Sequence, residues 1–170
     1  MFFEKFAVKI SNKNRRGKYD YFIKVMNPGI DSTILDVGFT GEEQYGSPNA
    51  LEKFYPYQHN ITALGIADSK EFSKRYPEVK VVLYDGNTFP FGSKEFDFIW
   101  SNAVLEHVGG YEKQKYFLSE VLRTGKRIYI TTPNRFFPIE VHTRLPLLQF
   151  LPKKIFDKLL KVLNKGWAAG

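Results

Sequence analysis

The chain has 170 residues, 43% hydrophobic and 16% aromatic, enough to bury one substantial core and too few for two ordinary domains. It has no cysteine, which excludes disulfides and thiolate metal sites, and three histidines (His59, His107, His142) are too few for a structural metal to be expected. The net charge of +7 suits nucleic acid, anionic lipid or a phosphorylated substrate alike, so its distribution matters more than its sum.

In chain order, the start MFFEKFAVKI is too charged for a signal-peptide core, and no run of about 18 apolar residues offers a bilayer span. A cytoplasmic location is therefore expected. The basic cluster Lys9, Lys13, Arg15, Arg16 and Lys18 reads as a solvated helix face. Five apolar runs of strand length follow: Thr33 to Val37, Ile61 to Ile66, Val79 to Tyr84, Phe96 to Trp100 and Arg127 to Thr131. They are nearly continuous and rich in β-branched residues, as a parallel sheet covered on both faces requires. Helical patterns alternate with them. Ser47 then Pro48 predicts a cap and first helical residue, opening a helix through Leu51 and Phe54. Asp68 to Tyr76 predicts a second helix, and Tyr116, Phe117, Val121 and Leu122 predict a third packed on the sheet.

Strand and helix in alternation give an α/β, doubly wound, mostly parallel sheet in a single domain over 1–170. In such a sheet, ligands bind outside the carboxyl ends of the strands. The first strand ends in Asp36, Gly38 and Gly41, where glycine lets backbone approach a ligand. The second ends in Gly65, Ile66, Ala67 and Asp68, and the third in Tyr84, Asp85, Gly86 and Asn87. The fourth ends in Ser101 and Asn102.

The ordered set TILDVG, YDGNTFPF and EFDFIWSNAVLEHV resembles the class I S-adenosylmethionine-dependent methyltransferases, over roughly residues 31–134. The stretch GKRIYITTPNRFFPIEVHT also resembles a methyltransferase subgroup found with bacterial surface-polysaccharide genes. The resemblance implies a Rossmann-like fold and S-adenosylmethionine as cofactor. It places Gly38 and Gly41 against the methionine end, with Asp36 ordering the loop or meeting the amino group through water. Asp85, beside Gly86, would accept from the adenine amino group, and Ser101 and Asn102 are further cofactor-binding candidates. Ala67 stands where the family carries its ribose carboxylate; Asp68, one residue later, either replaces it after a small shift or caps the following helix. The loop DVGFTG is also one residue shorter than the family's common pattern.

Methyl transfer from a sulfonium needs mainly alignment, and a base only where the acceptor is protonated. His107, after the fourth strand, is the first candidate base; Glu140 and His142, after the fifth, are the second. The expected acceptor is a small molecule, saccharide or lipid-linked metabolite. Nucleic acid is not supported, since no recognition signature is present.

Two competing readings stay open. Tyr111 and Lys115 match the spacing of a nicotinamide-dependent reductase, although the glycine loop lacks that family's form. The other is a methyltransferase-like protein without activity that binds a partner or membrane. Five strands are expected where the family has seven, with the edge hairpin absent from this sequence whether the chain is a fragment or is naturally shortened, and residues 153–164 instead predict a basic amphipathic helix. Its stripe is Ile155, Phe156, Leu159, Leu160 and Leu163, its polar face Lys154, Lys158 and Lys161, and Trp167 flanks it. Such a helix either lies at an anionic membrane surface as a peripheral contact or covers the open sheet.

Overall fold

The chain begins its sheet in the middle. β1 (Ile34–Val37) is flanked by β2 (Ile61–Gly65) and β4 (Phe96–Asn102), with β3 (Lys80–Leu83) and β5 (Gly125–Thr131) outermost. The strand order is β3-β2-β1-β4-β5 and every pairing is parallel. The computed structural model describes residues 2–41, 43, 48–67 and 70–132, with side chains from residue 8 onward. These residues fall in the compact unit Met1–Thr132.

All five expected strands are present, and the connection that leaves β3 to return beside β1 creates the switch point between β1 and β4. Their burial differs in one respect from expectation. β1 and β2 are buried throughout, but β3, at the edge, exposes its first and last residues. β4 also runs two residues further than expected, because Ser101 and Asn102 pair with Ile130 and Thr131 of β5.

One face of the sheet carries α1 (Phe2–Met26) and α2 (Ala50–Phe54). The basic stretch is indeed helical, and α1 buries Tyr19, Phe22 and Met26, spaced three and four residues apart on one stripe. Phe22 sits edge-on to Trp100 and Tyr129, with ring centroids 5.2 and 5.4 Å away. A helix leaves its last carbonyls unpaired; here Arg127 donates to the Met26 and Val25 carbonyls at 2.7 and 3.0 Å. α2 starts later than expected. Pro48 precedes it and Asn49 holds the cap position, its side chain turned to the neighbouring loop instead of to the helix. Ser47 lies outside the described residues.

α3 (Lys70–Arg75) falls within the expected 68–76 span, and α4 (Tyr111–Thr124) covers the opposite face of the sheet. α4 buries Phe117, Glu120, Val121 and Thr124, which share one face at helical spacing. Tyr116 and Leu122 lie off that face and are exposed, contrary to the expectation that they pack on the sheet. Glu120 earns its burial by accepting the Phe89 N–H at 2.8 Å and pairing with Arg123, which donates in turn to the Phe89 and Phe91 carbonyls. No described helix is long and apolar enough to cross a membrane.

Candidate cofactor and active site

Gly38 follows β1 with φ +98°, a conformation that favours glycine. Its N–H donates to the Leu64 carbonyl at 2.9 Å. A β-carbon built there meets the side chain of Val104, just beyond β4. Glycine is therefore required for the β1 turn and the segment after β4 to approach each other. The half-buried Gly41 continues this turn. The Thr40 N–H donates to Asn49 Oδ1 at 3.1 Å, and Asn49 Nδ2 donates to the Thr40 carbonyl and to Glu43 at 2.7 and 2.8 Å. Glu43 also accepts from the Tyr76 hydroxyl at 2.8 Å and pairs with Arg75 at 2.9 Å.

Behind this turn Asp36 has a partner, Glu52, that its sequence position does not reveal. Asp36 on β1 is 4% exposed and Glu52 on α2 is 0% exposed. The two carboxyl groups are within hydrogen-bonding reach of each other, so they share a proton or repel. Burial pushes Asp36 up to about 6, and burial together with the Asp36 charge raises Glu52 well above the usual carboxylate range. The Glu52 oxygens meet no N–H or O–H donor among the described side chains.

At the β3 tip the arrangement is open. Asp85 is exposed, and its carboxylate accepts from the Asn87 backbone N–H and side-chain amide at 2.9 and 3.0 Å. Those two bonds hold it below the usual carboxylate range, so it stays ionised with acceptor capacity to spare. Gly86 has φ +84°. A cavity of about 550 Å³ lies here, lined by Asp85, Gly86 and Asn87 with Val108, Tyr116 and Phe117 among the facing residues. That volume suits a small organic ligand.

At the β4 tip, Ser101 is fully buried and its hydroxyl donates to the Val37 carbonyl at 3.4 Å, tying β4 to the end of β1. Asn102 is half-buried, and its Oδ1 accepts from Lys18 Nζ at 2.8 Å and from the Thr131 hydroxyl at 2.7 Å. Lys18 therefore does not belong to a wholly solvated face: burial, with help from Arg15, lowers its pKa, while Glu106 acts the other way. Both carboxyl oxygens of Glu106 are buried without a hydrogen-bond partner among the described residues. His107 is exposed, at the end of the single turn Leu105–His107.

Asp36, Gly38, Gly41, Asp85, Gly86, Ser101 and Asn102 thus all lie at the carboxyl ends of the strands or in the turns that follow them. Asp68, Glu140 and His142, and the segment 153–164, lie outside the described residues. Tyr111 opens α4 with 76% exposure, and Lys115 is exposed one turn later; neither lines the cavity. Lys18, Glu52 and Glu106 were missed. Lys18 alone had a signal, since it stands four residues, one helical turn, before the buried Phe22.

Residues 35–127 match the family described as "Methyltransferase domain". Two uncharacterized proteins of Mycobacterium tuberculosis, from strains CDC 1551 and H37Rv, are each 32% identical over 73 residues, 43% of this chain and 24% of theirs. The matched span is thus about a quarter of the length of those relatives. Among solved structures, an S-adenosylmethionine-dependent methyltransferase from Aquifex aeolicus is similar with a TM-score of 0.55 at 16% identity, over 93% of this chain and 86% of that one. A methyltransferase from an antibiotic biosynthesis pathway of Anabaena variabilis gives 0.51 at 19% identity, over 86% and 59%. The cyclase SpnF gives 0.53 at 16% identity, over 92% and 57%, a reminder that this fold carries more than one chemistry. With the family match spanning more than half of its residues, the chain belongs to the methyltransferase-domain family, and it has the Rossmann-like α/β fold of the S-adenosylmethionine-dependent class.

Proposed function

We propose that this domain transfers a methyl group from S-adenosylmethionine to a small-molecule, saccharide or lipid-linked acceptor. The observation that carries the reading is the cavity beside Asp85 and Gly86, at the carboxyl end of a sheet whose β1 turn is built on Gly38. The residues present fit the cofactor. Asp85 is an ionised, exposed acceptor for an exocyclic amine, and Val108, Tyr116 and Phe117 offer apolar surface to a flat heterocycle in a cavity that Glu112 and Lys113 also line. The methionine end is assigned to the Gly38–Gly41 turn, with the negative charge of Asp36 and Glu52 behind it.

Bound there, the cofactor supplies an electrophilic methyl group; the protein's task is to align a nucleophile behind it and exclude water. The polar group formed by Asn102, Lys18, Thr131 and Glu106 at the ends of β4 and β5 is assigned to the acceptor side. His107 is the candidate base for an acceptor hydroxyl or amine. The basic, amphipathic sequence 153–164 supports a lipid-linked acceptor, because lysines near an anionic bilayer each add about 1 kcal/mol of attraction. Transfer of labelled methyl from S-adenosylmethionine to a panel of saccharide and lipid-linked acceptors tests the reading. Incorporation that Asp85→Ala diminishes supports it, and absence of any cofactor binding at millimolar concentration refutes it. Cosedimentation with anionic but not neutral vesicles, lost on deleting residues 153–170, supports the lipid-linked class.

A further inference from the structure

Resting on the cofactor reading above, we infer that Asp36 and Glu52 hold one proton between them in the empty site and release it to solvent when the cofactor's ammonium group binds at the β1 turn. Glu52 is then a positioning residue that sets the charge of Asp36.

Two carboxyl groups from different elements, β1 and α2, are buried against each other, and Glu52 has no other side-chain donor among the described residues. Full ionisation of both in that setting is opposed by desolvation and by mutual repulsion, so a shared proton is the low-energy state. Their surroundings do not change this. Glu43, on the loop, faces Glu52 with a negative charge, but Asn49, Tyr76 and Arg75 already engage it. Tyr76, following α3, stays a neutral phenol, raised by burial and by its hydrogen bond to Glu43. Arg75, the cation of this network, pairs with Glu43 and not with the buried pair.

A cation arriving at the turn after Asp36 changes the balance. It stabilises the second negative charge, and the proton leaves to solvent. Charge is conserved: a singly charged pair and a protonated amine become a doubly charged pair with its ammonium, plus one free proton. The pair titrates as a unit, so the proton count is the observable and not either residue's own pKa.

Calorimetry of the full chain at pH 7 in two buffers of different ionisation enthalpy counts that proton. S-adenosylhomocysteine keeps the ammonium; methylthioadenosine carries the adenosine and thioether without it. The expected result is release of close to one proton per S-adenosylhomocysteine bound and close to none with methylthioadenosine. Glu52→Gln, leaving Asp36 ionised in advance, abolishes the release. Binding whose heat is the same in both buffers, or equal release with both ligands, overturns the inference even if the variant does not fold. Absence of binding by either ligand overturns the cofactor reading itself, and this inference with it.

Discussion

At the β1 turn the polar groups are already engaged: the Thr40 amide by Asn49, Glu43 by Asn49, Tyr76 and Arg75, and Asp36 by Glu52. At the β3 tip, Asp85 stands exposed over an open cavity, where among the described residues it accepts from its neighbour Asn87. The first region is a folded network whose groups support one another, and the second is a surface ready for a ligand. It follows that substitutions behind the β1 turn should register first as stability, and those at the β3 tip first as affinity.

The largest effect is expected at Phe72, which is fully buried beneath the turn with Phe39 and Tyr76 against its ring, at centroid distances of 4.4 and 5.1 Å. Phe72→Ala should cost about 3–5 kcal/mol in urea denaturation. A loss below 1 kcal/mol would mean that the closed region is not the stable one.

The buried pair comes next, and its sign is definite. Asp36 is raised from 3.8 to about 6 in the folded chain. Its contribution is therefore present below the unfolded value and is lost as the pH rises through the folded one. Over that window folding stability should fall by ~1.4 kcal/mol for each pH unit and each proton the pair gives up, with Glu52, also raised by burial, adding to the loss. Asp36→Asn combined with Glu52→Gln should flatten this slope, and an unchanged slope would show that the pair does not cause it.

At the open end, Asp85→Ala should weaken cofactor binding by about 1.5–3 kcal/mol, roughly 10- to 150-fold. Folding stability should stay within about 0.5 kcal/mol of the wild type. Asp68→Ala sharpens this result: an equal affinity loss assigns Asp68 to the ribose, and unchanged affinity assigns it to helix capping. The smallest effect is expected at the far end of the sheet, where Lys126 lies 2.8 Å from Asp97. Lys126→Ala should cost no more than about 1 kcal/mol, because both partners are partly solvated.

The strands were legible because a parallel sheet writes itself as unbroken apolar runs, and the tips were legible because turns after such strands carry glycine and acidic residues. Where the reading failed, side-chain polarity misrepresented position. Ser101 and Asn102 continue β4 despite being polar, since backbone pairing with β5 does not depend on their side chains. Tyr116 and Leu122 are apolar yet exposed, while Glu120 and Thr124 of the same helix are buried, because hydrogen bonds to Phe89, Arg123 and the helix backbone satisfy them. Glu52 was illegible for the same reason: a glutamate in a five-residue helix reads as solvated, and only the packing of α2 behind β1 brings it to Asp36.

The most direct test of the central claim is an amide map by nuclear magnetic resonance, with S-adenosylmethionine titrated into the labelled full chain. Saturable shifts are expected, concentrated at Gly38, Asp85 and Gly86, which lie at the tips of β1 and β3. Shifts absent at millimolar cofactor, or confined to the amino ends of the strands around Thr33, Asp97 and Lys126, would contradict it.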